Sequence, residues 1–517
     1  MEEQSMDPPA NLLMYLALAL ASLLVVLEKK RRRRSAEHGL RLPPGPWQIP
    51  LIGTLHHLVG QLPHRAMREL ARRHGPVMLL RNGEVATVVV SSRDAAREVL
   101  KTHDPAFAQR PLTATTRALT AGGRDIIFAP YGDRWRQLRR VAVTELLSAR
   151  RVLSFRGVRE QEVAALLRAC AAAAAAGGQV EMRRRLAALV ADTAARAVLG
   201  DRCEDRDAFL RELGRAIELS AGFNPADLWP SSWIAGRLSG TLRRADKCRD
   251  TVYGILDGIV KQHLERMDDG ETEDLLDVLL KIQRNGDGLQ IPLDMQDINA
   301  LLFDIFGAGS ETSSTTLEWA MAELIRNPTV MRRATAEVRE ALGAHGTVVR
   351  EEALGGLRYL HLVIRETFRL HPPVPLLVRS SAGPEPLSSA RVLGYDMPPG
   401  AAVLVNVWAL GRDERYWPGD PDAFRPERFE AAAAPEFKGA DFELLPFGAG
   451  RRMCPGIAFG LASVELALAS LLFHFDWEAP GVSDPTELDM TEAFGISARR
   501  KANLLLRPVL RVPVPGV

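Results

Sequence analysis

Cysteine is scarce in this chain. The 517 residues hold four, Cys170, Cys203, Cys248 and Cys454. No two are close in sequence, so neither a zinc site nor a disulfide framework is visible. A reducing compartment suits such a chain. An excess of one charge sign is also missing. Lysine plus arginine number 66 and aspartate plus glutamate 64, leaving +2 and no basic footprint for nucleic acid. There are no internal repeats. No strand-linked Gly-x-Gly-x-x-Gly occurs, so the chain carries no flavin or nicotinamide signature of its own.

What is present is a globular composition, 46% hydrophobic and 25% charged, able to bury a sizeable core. One apolar run stands apart. Asn11 to Leu27 carry no charge and, as a helix, span roughly 25 Å, the short end of a membrane span. Glu2, Glu3 and Asp7 precede it, and Lys29, Lys30 and Arg31 to Arg34 follow. The positive-inside rule then puts the rest of the chain in the cytosol. A cleaved signal peptide is the alternative, with Ala19-Leu20-Ala21 as a cleavage site, but its basic residues would lie on the other side of the run. The expected organisation is an anchor with its basic flank over 1–34, a proline-rich hinge over 35–50 and one large domain over 51–517. Leu42-Pro43-Pro44-Gly45-Pro46-Trp47 makes the hinge stiff, because proline fixes φ.

Val77 to Leu80 and Val85 to Val90 flank Asn82-Gly83, which predicts a hairpin with a type I′ turn. Ser92 is placed to cap a helix over Arg93 to Thr102. Strand is expected again around Arg391 to Val405, turning at Pro398-Pro399-Gly400. Ala171 to Ala176 with Gly177-Gly178 reads as a helix end and loop. Helical patterns dominate elsewhere. The fold class expected is mainly α with small β-sheets.

The segment Phe447-Gly-Ala-Gly-Arg-Arg-Met-Cys-Pro-Gly456 puts Cys454 in a glycine-rich loop before an apolar helical run, Ile457 to Phe475. That suits one thiolate holding a haem iron. Phe447 can cover the sulfur side. Gly450 permits positive φ, Gly456 permits close backbone approach, and Arg452 supplies a cation at the level of the propionates. The helix dipole and loop N–H groups favour the thiolate. A buried structural cysteine is the plain alternative.

A second long helix is expected between Asp294 and Asn327-Pro328. Its centre, Phe306-Gly307-Ala308-Gly309-Ser310-Glu311-Thr312-Ser313, is poor in helix formers, with two glycines at about 1 kcal/mol each. Gly307 and Gly309 leave room for a flat cofactor and a small ligand, and Thr312 can bond the carbonyl of Ala308. Close packing of a bent core helix is the other reading. Further on, Glu366 and Arg369 share a helix face at i and i+3, the spacing of an ordinary surface pair.

These segments resemble the cytochrome P450 family. The Cys454 loop fills every position of Phe-x-x-Gly-x-Arg-x-Cys-x-Gly, and Ala308 to Ser313 matches Ala/Gly-Gly-x-Asp/Glu-Thr-Thr/Ser. The resemblance runs nearly the whole chain and looks like the plant microsomal group of specialised metabolism. It implies the P450 fold behind one N-terminal transmembrane helix, haem b on Cys454, and Thr312 with Glu311 as the proton relay to dioxygen. It implies a buried triad of Glu366, Arg369 and Arg428, the last in Pro426-Glu427-Arg428-Phe429. Trp135 and Arg139 fit the family's Trp-x-x-x-Arg helix beside a propionate, and Arg379 is expected at a propionate too. Many plant members carry proline before that arginine, where this chain has Val378. His371 is expected to be structural. The pocket, by analogy, is lined by Ile126, Phe128, Phe303, Val374, Leu377 and Ile496. The implied activity is a monooxygenase of the endoplasmic reticulum membrane, single-pass and with a cytosolic catalytic domain. It would act on a small hydrophobic terpenoid or phenolic. NADPH would serve only indirectly, through NADPH–cytochrome P450 reductase, with cytochrome b5 as a second donor. Arg136, Arg140 and Arg451 are candidate docking cations. A haem-thiolate isomerase or dehydratase without dioxygen, and a non-catalytic haem sensor, are the competing readings.

Overall fold

A computed structural model describes residues 39–200, 205–266, 274–286, 289–343, 346–382, 391–431 and 433–516. The anchor expected over 1–34 and the first residues of the hinge lie outside them. The rest of the hinge is docked. Pro43 and Pro46 are buried, and the Leu79 N–H donates to the Pro44 carbonyl at 2.8 Å. A side chain at Gly45 would collide with the Leu79 carbonyl. The stiff connector is thus fastened to the first strand of the catalytic domain.

The fold is mainly helical with small sheets. Strands β1 (Val77–Asn82) and β2 (Val85–Val90) form the expected hairpin, with Val77 opposite Val90 and Asn82 opposite Val85. The turn falls one residue later than expected. Gly83 has φ +62°, Glu84 does not take positive φ, and a type I′ turn requires it at both central positions. Asn82 stays in the strand because its buried side chain accepts from Thr54 Oγ1 at 3.0 Å. Ser92 caps the next helix at Ala95 N, and the helix widens to a π turn over Glu98–Thr102.

Helices relevant to the site are α1 (Asp133–Val141), α2 (Arg156–Ala175), α3 (Met182–Leu199), α4 (Arg206–Leu219), α5 (Met295–Arg326), α6 (Arg358–Leu370) and α7 (Ile457–His474). Strands β3 (Leu376–Ser380) and β4 (Ala402–Asn406) complete a four-stranded sheet in the order β1-β2-β4-β3. Strand β4 runs parallel to β2 and antiparallel to β3. The segment expected as strand over Arg391 to Val405 therefore splits. Arg391–Val392 and Tyr395–Asp396 make a small hairpin, Gly400 turns the chain at φ +69°, and β4 joins the main sheet.

Helix α5 organises the interior. Asp294 and Asp297 form a capping box at its start, each side chain accepting from the other's backbone N–H. Leu301, Leu302 and Phe306 belong to one hydrophobic cluster with α1, α3 and α4. Leu317, Met321 and Leu324 belong to another with α2, α6 and α7. Burial on both sides overrides the poor propensity of its centre. Among the described residues, α7 is the helix long and apolar enough to cross a membrane, and its Leu466, Leu468, Leu471 and Leu472 are fully buried, so it is a core helix.

Candidate haem-thiolate site

The loop before α7 is shaped by its own backbone. The Cys454 N–H donates to the Phe447 carbonyl at 2.9 Å and closes the turn. Gly450 has φ +70°, and a Cβ there would meet the Leu100 carbonyl and Asp104 Oδ1, so glycine is required. Gly456 differs from expectation. Its φ is −93° and a Cβ would sit 4.0 Å from Cys454 Sγ, so nothing in the protein presses on it. Its N–H donates to the sulfur. Phe447 packs edge-on against Phe368 and Phe437, with ring centroids 5.1 and 5.5 Å away.

Cys454 is exposed by accessible surface yet enclosed by protein on nearly every side. Both facts hold if the thiol opens into an interior cleft. Ala308 repeats the pattern, being exposed at the middle of α5 while the stretches on either side are buried. A Cβ at Gly460 in α7 would lie 3.5 Å from Ser313 Oγ in α5, which puts the two segments side by side. The cleft therefore lies between the Cys454 loop and the Ala308–Thr312 segment. Burial pushes the Cys454 thiol up, and the Gly456 N–H with the Arg139 and Arg110 charges pulls it only part of the way back. The thiolate preference expected from dipole and loop alone is outweighed by desolvation.

Arginines gather around this cleft. Arg139 donates to the Met453 carbonyl. Arg379 is buried, donates to the Val378 carbonyl at 2.9 Å, and keeps Nε without a partner among the described residues. Arg110, which sequence reasoning missed, donates to the Ile127 carbonyl at 2.8 Å and also leaves Nε unpartnered. Burial lowers Arg110, Arg139 and Arg379, and the neighbouring guanidinium groups depress Arg379 further. Arg452 carries a structural part beside the one expected of it. Its three nitrogens donate to the carbonyls of Ala108 (2.9 Å), Ile126 (3.2 Å) and Ala129 (2.6 Å), and its plane lies 4.3 Å from the Trp135 ring centre. Arg452 clips the Cys454 loop to the segment 108–129. Trp135 Nε1 donates to the Ile126 carbonyl at 3.0 Å and so serves the same clip.

A planar dianionic iron porphyrin fits this donor set. It would match the surplus of buried guanidinium charge and the unpartnered nitrogens, and its iron would take the thiolate that burial otherwise disfavours.

On α5, Thr312 Oγ1 donates to the Ala308 carbonyl at 2.7 Å. Glu311 is turned elsewhere, with Oε1 3.6 Å from Arg499 Nε. Burial pushes its carboxyl up, while Arg499 and Arg183 pull it down. Thr312 and Glu311 share no hydrogen bond among the described residues. Gly307 does not open the cleft as expected, because a Cβ there would touch Leu213 of α4 at 3.1 Å. Gly309 has open space at that position. Asp304, also missed by sequence reasoning, accepts from the Ile126 and Ile127 N–H groups at 2.6 and 3.3 Å. A lone acid inside the apolar run Leu301 to Phe306 was the available signal.

Glu366 and Arg369 form a fully buried bidentate pair at 2.6 and 2.7 Å. Arg428 joins at 3.5 Å from Glu366 and donates to the Pro418 carbonyl at 2.8 Å. His371 is buried, 2.7 Å from Glu323 and stacked on Trp319 at 4.0 Å. Of the expected pocket residues, Ile126, Phe303 and Ile496 fall in one apolar cluster. Val374 and Leu377 fall in another, with the sheet, and a Cβ at Gly448 would lie 3.6 Å from Leu377. Leu377 therefore borders the Cys454 loop. Phe128 is half-buried beside the Asp125 carboxylate, which accepts from its N–H at 3.0 Å. Of the candidate docking cations, Arg451 pairs with Asp104 at 2.8 Å and Arg136 with Asp133.

A sequence model of the cytochrome P450 family matches residues 43–506. Dolabradiene monooxygenase of Zea mays is 47% identical over 501 residues, covering 96% of this chain and 98% of that protein. Premnaspirodiene oxygenase of Hyoscyamus muticus is 44% identical over 483 residues, covering 92% and 94%. Desmethyl-deoxy-podophyllotoxin synthase of Sinopodophyllum hexandrum is 44% identical over 500 residues, covering 95% and 96%.

Proposed function

The chain belongs to the cytochrome P450 family and is a haem monooxygenase, and from that premise we propose that it oxidises a small hydrophobic plant metabolite, terpenoid before phenolic. The observation that carries the reading is the Cys454 thiol, open to solvent-sized space beside the exposed Ala308 of α5, with the arginines Arg110, Arg139 and Arg379 nearby. Two relatives named for dienes favour a terpenoid, and the podophyllotoxin-type name keeps the phenolic class in view.

Bound haem, ligated by the thiolate, supplies the activation of dioxygen. The chain's residues do the rest. Arg110, Arg139, Arg379 and Arg452 would hold the acidic edge of the bound cofactor. Cys454 is held by its own N–H on Phe447 and by the Gly456 N–H on its sulfur. The Thr312 hydroxyl is held by the Ala308 carbonyl at the cleft, where it can pass a proton inward. Glu311, its carboxyl raised by burial, is the acid next to Thr312 in the chain, and it would have to leave Arg499 to resupply that proton. Ile126, Phe303 and Ile496 exclude water and orient an apolar substrate.

Electrons come from NADPH through a membrane-bound flavoprotein reductase, with cytochrome b5 as a second donor. The segment 1–34 anchors the chain in the endoplasmic reticulum membrane, catalytic domain to the cytosol. The test is turnover in membranes holding this protein and a plant reductase, with NADPH, isotopically labelled dioxygen and pooled terpenoid and phenolic precursors. A product with one labelled oxygen is expected. Turnover without label or NADPH would replace monooxygenation with an isomerase or dehydratase reaction.

A further inference from the structure

Two of the expected wall segments, Val374 to Leu377 and the turn carrying Ile496, belong to different apolar packings. Val374 and Leu377 pack with the sheet, and Ile496 packs with the cluster shared by α1, α3 and α4. Apolar contact is non-directional, so it does not set one segment against the other. Directed bonds meet between them instead. The Ala498 N–H donates to the Pro373 carbonyl at 2.9 Å. The Ala498 carbonyl accepts from Trp319 Nε1 of α5 at 2.8 Å. The Trp319 ring lies flat on His371, with ring centres 4.0 Å apart and planes 7° from parallel. His371 Nε2 is 2.7 Å from Glu323 Oε1, one turn further along α5.

We propose that Trp319 is a positioning residue that couples these two wall segments, holding the start of one through His371 and the end of the other through its indole N–H on Ala498, so that both keep one register beside the cleft. The proposal rests on the reading of the cleft as a haem and substrate site. Trp319 has no exposed surface, and a leucine would fill a helix core there without a donor to satisfy. His371 is also buried, and its Nδ1 has no partner among the described residues. Burial lowers His371, and the Glu323 contact opposes that shift. Polar rings kept in the core at that cost make contacts that an apolar side chain cannot. Both segments leave the junction with little slack. His371 is followed by Pro372 and Pro373, whose rings fix φ, and Leu376 opens β3. Ile496 lies two residues before Ala498, in a turn closed by the Ala493 N–H on the Arg499 carbonyl at 2.8 Å and by the bridge between Glu492 and Arg500.

The experiment uses the full chain with haem, as wild type, Trp319→Phe, His371→Leu and the double variant. Trp319→Phe keeps a ring on His371 and loses the N–H. His371→Leu loses the flat partner and the Glu323 contact. The reduced carbon monoxide spectrum of the wild type tests the haem reading first and separately. Amide exchange over 496–499 is expected to rise about tenfold in Trp319→Phe, and about threefold or more in His371→Leu, where the altered side chain does not bond to that turn. Exchange over 374–378 is expected to rise in both. The double variant should go little beyond the larger single change, because one junction is broken once. In spectral titrations, 1-phenylimidazole, whose ring must pack against the wall, is expected to weaken about fivefold or more in each variant. Imidazole, which fills only the space next to the iron, should stay within about twofold. Equal weakening of the two probes, additive effects in the double variant, or a rise in exchange confined to the segment beside the altered residue would overturn the proposal. Trp319→Phe carries the test if His371→Leu fails to retain haem, since it must also loosen 374–378, to which Trp319 makes no hydrogen bond among the described residues. Neither readout needs turnover, so the result is independent of the labelled-oxygen assay.

Discussion

A cysteine thiol enclosed by protein is a poor acid, and Cys454 is pushed up by burial more than its neighbours draw it down. The same enclosure makes the residue irreplaceable. Serine at 454 has no thiolate to offer, so Cys454→Ser is expected to lose the thiolate-type spectrum of the reduced carbon monoxide complex. A retained spectrum would mean a different ligand. The role proposed for Thr312 rests on one hydroxyl, which donates to the Ala308 carbonyl at 2.7 Å. Thr312→Ala should leave NADPH consumption running while product falls about tenfold and hydrogen peroxide appears, the ratio being read by parallel assays. Thr312→Ser, which keeps the hydroxyl, should restore most of the coupling. Arg452 teaches a related lesson. Its motif position announces a cation for the cofactor, and the same guanidinium also ties its loop to main-chain carbonyls.

Helix α6 is the element on which retention of the fold near the site depends. Its Glu366–Arg369 pair has no exposed surface, and Arg369 also donates to the Pro421 carbonyl at 2.6 Å while the Arg425 N–H donates to Glu366 at 2.7 Å. Removing the acid strands a buried guanidinium. Glu366→Ala is expected to cost about 3–5 kcal/mol and to yield protein with little haem, measured as the haem-to-protein ratio after purification. Arg428→Ala should cost less, about 1–2 kcal/mol, because Arg428 stands 3.5 Å from Glu366, which keeps its bidentate partner Arg369. Helix α5 illustrates the opposite balance. Its cap box, Asp294 with Asp297, was visible as a start signal, and its glycine-containing centre was visible as an oddity. That Gly307 abuts Leu213 while Gly309 faces open space depended on how α4 crosses it.

At the scale of the whole molecule, acid stability is set by ties between distant segments. Glu492 near the C-terminus accepts from Arg65 at 2.7 Å and lies 3.0 Å from His64, and its carboxyl is held down at about 2. Burial opposes that shift, and the His64 and Arg65 contacts exceed it. A depressed folded-state value contributes stability that is complete above the unfolded value near 4.5 and is lost as pH falls toward 2. The difference in unfolding free energy between the wild type and Glu492→Gln should be largest above pH 5, on the order of 3 kcal/mol, and should shrink steadily on acidification. A difference independent of pH would place the effect in packing instead of charge.

The sequence by itself determined the chemistry. Local motifs carried Cys454, Thr312, Glu366 and Arg369, because a turn glycine, a helix spacing or a cap is specified by its immediate neighbours in the chain. Mainly helical structure, the 77–90 hairpin and the bounds of α5 followed from the same short-range rules. Only the tertiary structure decided that Arg110 stands near Cys454 together with Arg139, that Arg452 also clips the Cys454 loop to the segment 108–129, and that Asp304 accepts from a loop 178 residues away in sequence. The reason is physical. Burial and the partnering of charges depend on which segments meet in space, and those distances bear no relation to distance along the chain.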